Sequence, residues 1–86
     1  MKMLSQKMKK LSSEIQSLRE ITSESLYQQD RDALRQLEIA LYVGNLVSTQ
    51  AIFRDMSEEL SYLVWEIIFD KCSVEVAELI TSQKHP

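Results

Sequence analysis

The sequence predicts an all-α protein: an antiparallel helical hairpin extended by one or two shorter helices into a small bundle. Three observations predict it. A single glycine, Gly44, and a single proline, Pro86 at the last position, leave few places for sharp turns in 86 residues. Leu4, Met8, Leu11, Ile15 and Leu18 recur at alternating steps of four and three, the seam of a helix that packs on a neighbour. Ser57 and Ser73 stand directly before further apolar-periodic runs, where a side-chain oxygen can satisfy the free N–H groups of a helix start.

The first helix is expected over about 3–24. Its seam ends near Thr22, and between the seam positions stand Lys, Gln, Ser, Glu and Arg, so its adhesive face is narrow and it is not stable alone. Docking of this seam on the second helix of the same chain is expected, with another chain as the alternative. Met3 and Met8 are expected as core fillers. Thr22–Ser25 is rich in cap-forming residues, and Ser25 with Gln28 has the spacing of a capping box, which opens a second helix.

That second helix is expected over 26–55, through Leu34, Leu37, Leu41 and Val47, antiparallel to the first across a short turn. Gly44-Asn45 offers a left-handed stop that would instead split the segment in two. Ala33, Ala40, Gly44, Ser48 and Ala51 share roughly one side, where two backbones can approach closely. From Ile39 to Phe53 apolar residues occupy more than one face, so more than one surface is expected to be covered. A third helix is expected over 57–71, capped by Ser57 with Glu58 and Glu59 at the positive end of the helix dipole. A fourth follows over 73–82. The whole chain, 1–86, is expected to form one domain without repeats or low-complexity tracts.

Composition narrows the function. With 44% hydrophobic and 27% charged residues the chain is too apolar for a disordered tail, and at this length one core leaves little net stability, so help from a second chain is expected. The net charge of −3 argues against affinity drawn from phosphates. Charge is unevenly spread: Lys2, Lys7, Lys9 and Lys10 make the first ten residues basic, whereas Asp55, Glu58, Glu59, Glu66, Asp70, Glu75 and Glu78 oppose only Lys71 later. The lone cysteine, Cys72, allows no internal disulfide. No apolar run approaches the roughly 18 residues of a membrane span, and the lysine-containing start leads into an amphipathic pattern, so a cytoplasmic protein is expected.

The inventory for catalysis is nearly empty. His85 is the only histidine and stands beside the C-terminus. Cys72 reads as a small buried hydrophobe, with an intermolecular disulfide as the alternative. Asp30-Arg31-Asp32 and Glu58-Glu59 lack the glycine turn and ligand spacing of a calcium loop and read as helix-start charges. Gly44 alone makes no phosphate loop. No enzyme activity, metal, cofactor or small-molecule substrate is expected, nor is nucleic acid or membrane as a partner.

The third helix holds most of the information on interaction. Leu60, Leu63, Val64, Ile67 and Ile68 form one stripe and Tyr62, Trp65 and Phe69 a second beside it, with only Glu66 and Asp70 clearly polar. A helix apolar nearly all round is covered on two sides. The hairpin supplies one cover; a second copy or another protein would supply the other, unless all three aromatic residues complete the internal core.

Leu26-Tyr27-Gln28-Gln29 and Ala33-Leu34-Arg35-Gln36-Leu37-Glu38-Ile39-Ala40, preceded by the heptad helix and a short turn, resemble small helical-hairpin co-chaperones of bacterial type III secretion needle subunits, over roughly residues 4–50. The resemblance implies a cytoplasmic protein whose second helix, around Leu34, Leu37, Leu41 and Tyr42, packs against a larger helical-repeat chaperone and a needle subunit. The expected partner-binding residues are thus Tyr62, Trp65, Phe69, Leu37, Leu41 and Tyr42. The expected role is a small chaperone or adaptor shielding an apolar helix; an anti-adaptor or inhibitor that occupies the surface of an enzyme or transcription factor, and a self-assembling homodimer, are the alternatives.

Overall fold

The computed structural model describes residues 2–22 and 24–82. Five helices follow one another: α1 (Lys2–Ile21), α2 (Gln28–Val43), α3 (Leu46–Asp55), α4 (Glu58–Lys71) and α5 (Val74–Thr81), with no strand among the described residues. The protein is a small all-α bundle.

The helices α1 and α2 form the hairpin. Ser12 donates its hydroxyl to the Glu38 carbonyl at 2.9 Å, and Ser5 lies against Gly44, so one helix runs back as the other runs forward. Met8, Leu11 and Ile15 of the predicted seam are buried in one core with Leu34, Leu37 and Leu41, and Leu4 and Leu18 pack against its edges. The seam therefore docks within the chain. Arg19 spans the same interface to Glu38, Nη2 to Oε1 at 2.9 Å, with both side chains partly shielded. The longest dimension of the molecule, 35 Å, is little more than the roughly 30 Å rise of a 20-residue helix, so the later helices fold back along the hairpin.

The second helix is shorter than expected. It begins at Gln28, not 26, and no capping box forms: Tyr27 takes the N-cap position without a side-chain cap bond, Ser25 donates back to the Thr22 carbonyl, and the Gln28 amide reaches forward to Asp32. Because α2 starts at Gln28, the N-cap position falls to Tyr27, and Ser25 stands two residues before it, out of register with the free N–H groups of the first turn. The helix then stops at Gly44. Gly44 adopts φ +75°, its N–H bonds the Leu41 carbonyl at 3.2 Å and the Asn45 N–H bonds the Ala40 carbonyl at 2.9 Å, the paired bonds of a left-handed glycine stop. Asn45 at once caps α3 by accepting the Ser48 N–H at 3.0 Å. The continuous helix over 26–55 is thus two helices joined at a corner, and Gly44 serves that corner.

Beyond the corner, α3 packs on α2 and α5, while α4 lies against α1 and α5. Ser57 and Ser73 cap α4 and α5 as expected, accepting the N–H groups of Leu60 and Val76. Phe53, Met56, Leu60, Val64, Ile68, Ala77 and Ile80 complete the core. The buried hydroxyls of Ser12, Thr49 and Thr81 each donate to a backbone carbonyl, so each meets its hydrogen-bonding requirement inside. The Gln50 amide ties α3 to α5 at the Leu79 carbonyl. Met8 is core, but Met3, one position off the seam, is 74% exposed and fills nothing.

Candidate partner-binding face

Capping by Ser57 sets where α4 starts and therefore how its residues are phased. Leu60, Val64 and Ile68, at intervals of four, are buried. With about 100° of turn per residue, the opposite side carries Glu59, Tyr62, Leu63, Glu66 and Asp70, all exposed. Trp65 and Phe69 lie between the two sides and are half-buried, Phe69 packed against the core.

The three aromatic rings form a continuous ladder. Trp65 meets Phe69 with centroids 4.4 Å apart and planes tilted by 49°, and Tyr62 continues outward, its centroid 6.5 Å from Trp65. Phe69 roots this ladder in the core, and Tyr62, 59% exposed, is its outer end. The Glu66 carboxylate, one turn further along, favours the protonated phenol of Tyr62 as a hydrogen-bond acceptor and as a negative charge, which raises it above its usual value. Leu63, grouped by its spacing with Leu60 and Val64, is 43% exposed and widens the apolar area outward.

The other expected partner residues separate by burial. Leu37 and Leu41 are fully buried in the hairpin core. Their expected place at the partner surface is corrected for this reason: α1 docks on that side of α2 and uses both residues. Tyr42 stands at the exposed edge of that interface, where the Lys9 ammonium of α1 sits 4.9 Å from its ring centroid. Ile39 and Val43, three residues before and one after Tyr42, and Val47 past the corner are also exposed. Sequence reasoning did not single out these three, although apolar residues on several faces from Ile39 onward were the signal. The expectation that those faces are covered does not hold within the chain.

Cys72 is half-buried at the end of α4 beside an open groove of about 170 Å³ that Lys7, Lys10, Leu11, Glu14 and Lys71 also line. Burial pushes its thiol up, partly opposed by Lys7, and a thiol so shifted holds little thiolate at neutral pH. Asp30, Glu58 and Glu59 occupy first turns of helices, as their reading as helix-start charges requires, whereas Asp32 stands past the first turn of α2 and accepts the Gln28 amide. Among the described residues no group of three or more His, Cys, Asp or Glu side chains is placed to hold a metal ion, and no helix is long and apolar enough to cross a membrane. His85 lies outside the described residues.

The fold and this face together define a small all-α bundle with one helix, α4, that exposes aromatic and acidic residues side by side. No family profile, curated protein or solved structure matches the chain.

Proposed function

We propose that this chain is a non-enzymatic protein-interaction module, a small cytoplasmic chaperone or adaptor that shields an apolar helical surface of another protein. One observation carries the reading: α4 is apolar around most of its circumference, and the bundle covers only the side of Leu60, Val64 and Ile68. Tyr62, Leu63 and the outer part of the Trp65 ladder remain for a partner, and Tyr and Trp concentrate binding energy in protein interfaces. The mode is helix packing along a preformed helix, which needs no catalytic group. The hairpin's resemblance to type III secretion co-chaperones makes a secreted helical subunit the first client to try.

Tagged wild-type and Tyr62→Ser chains recovered from the native source test the reading. Because an aromatic hot spot contributes about 2 kcal/mol or more, Tyr62→Ser should reduce partner recovery by about tenfold or more while helicity stays unchanged. Trp65→Ala should weaken association more than it lowers helicity. Undiminished complexes in sedimentation, with loss of helical circular dichroism for Trp65→Ala, would place Trp65 in the core and sink the reading. The recovered partner also separates a chaperone, which returns with a secreted or assembly-prone client, from an inhibitor, which returns with a folded enzyme or regulator.

A further inference from the structure

We propose that the occupant of the outer face of α4 is a cationic amphipathic helix of a partner protein, its apolar side laid on the Tyr62–Trp65 ladder and its lysines or arginines set against Glu59, Glu66 and Asp70. This rests on the reading of α4 as the partner-binding face and adds the chemistry of what binds there.

The argument starts from the location of the charge. Helix α4 carries Glu58, Glu59, Glu66 and Asp70 against one cation, Lys71, an excess as large as the −3 of the entire chain. The remainder of the chain sums to zero because the basic start of α1 offsets acidic residues elsewhere, so the helix with the exposed aromatic residues carries the largest negative excess of any helix. All four carboxylates are exposed. Lys71 approaches Asp70 only at 3.9 Å, and no cation among the described residues pairs with Glu58, Glu59 or Glu66. Glu59, Tyr62, Glu66 and Phe69 follow at steps of three and four, so carboxylates and rings alternate along the same strip rather than occupying opposite sides.

An apolar helix covering Tyr62 and Trp65 removes water from this strip and strengthens every charge interaction beside it. A neutral or acidic helix would leave those carboxylates partly desolvated without compensation. A lysine or arginine instead lays its apolar stem along a ring, places its cation on a carboxylate, and gains attraction from the ring face. Phosphate-rich surfaces, whether nucleic acid or anionic lipid, are repelled by the same groups.

A second copy fits less well. The densest basic run of this chain, four of its ten Lys and Arg residues, stands at the start of α1, and the apolar stripe of that helix, Met8, Leu11 and Ile15, is already buried against α2. What remains exposed on α1 is Met3 near one end and Ile21 at the other, too far apart to cover a ladder.

Trp65 is the only tryptophan, so its emission reports on the face itself. The probes are a synthetic amphipathic peptide of leucine and lysine lacking aromatic residues, and the same peptide with glutamate for lysine. The lysine peptide should shift Trp65 emission and bind at least about tenfold more tightly than the glutamate peptide, with affinity falling as salt rises. Glu59→Lys with Glu66→Lys should weaken it about tenfold, whereas Glu24→Lys with Asp32→Lys, the same change of net charge elsewhere, should weaken it less than about twofold. Circular dichroism confirms that each double variant is folded. Equal binding of the two peptides, equal loss in both double variants, or no binding at all overturns the proposal. So does a purified chain that is dimeric and disperses on the Glu59→Lys and Glu66→Lys changes, which assigns the face to a second copy. Should the natural partner depend on Tyr62 yet ignore both glutamates, the interaction module stands and only its cationic preference fails.

Discussion

At the residue scale, the Tyr62–Glu66 pair joins the apolar and acidic characters of α4 in a single contact. The carboxylate favours the protonated phenol and opposes a second negative charge, so the folded phenol lies above its unfolded value. The contribution of this pair is therefore fully present below the unfolded phenol pKa and is lost as pH rises through the raised folded value, in the alkaline range. In an ultraviolet titration, with the Tyr62 signal isolated by subtracting a Tyr62→Phe variant, Glu66→Gln should move the Tyr62 midpoint to lower pH. Superimposed wild-type and Glu66→Gln curves would show that Glu66 does not govern this phenol. The neighbouring Lys71–Asp70 pair is long and exposed on both sides, a geometry that contributes little to stability.

At the element scale, the corner between α2 and α3 decides how the later helices reach the hairpin. Gly44 holds a left-handed conformation, and a Cβ built there would stand 3.3 Å from the Ser5 Oγ. Gly44→Ala meets both obstacles and should cost about 1–2 kcal/mol, seen as a lower denaturant midpoint. Gly44→Asn should lose less, because asparagine tolerates that conformation better. If Gly44→Ala instead gains helicity at unchanged stability, then α2 and α3 merge into one straight helix at no cost, and the corner is not required by the fold. Asn45 reinforces the same point from the other side, since its carboxamide caps the helix that the glycine separates from α2.

At the scale of the whole molecule, one buried core runs from the hairpin into the later helices, and function is proposed for the outer side of α4. Ile15 and Leu11 are almost without solvent contact. Replacing both with Asp puts unpaired carboxylates into that core, at a cost of several kcal/mol against a total of about 5–15 kcal/mol for a typical domain. The variant should lose its cooperative thermal transition whether or not a partner is present; a retained transition would show that the seam does not hold this chain together. Charge reversals at Glu59 and Glu66, by contrast, touch an exposed surface and leave the hairpin core intact, which allows stability and binding to be varied separately.

Much of this architecture is legible from the order of the residues. The four-and-three spacing from Leu4 to Leu18 gives an isolated helix one adhesive side whatever it meets, and Ser57 and Ser73 cap through bonds made within their own turns. The Ser25–Gln28 pair has the same local logic yet fails, because α2 starts two residues later than that pair requires and Tyr27 takes the N-cap position. Gly44-Asn45 was compatible with a continuous helix or a corner, and the contact with Ser5 belongs to a neighbour that no local pattern reveals. Leu37, Leu41 and Tyr42 are alike as candidates in sequence, but α1 covers only one side of α2, which buries the first two and leaves Tyr42 outside. The same holds for the aromatic helix. By itself the sequence determined that α4 is helical and apolar on two stripes, since both follow from spacing and capping. Only the tertiary structure decided that Leu60, Val64 and Ile68 face inward and Tyr62 faces out among carboxylates, because burial is set by the neighbours a helix meets.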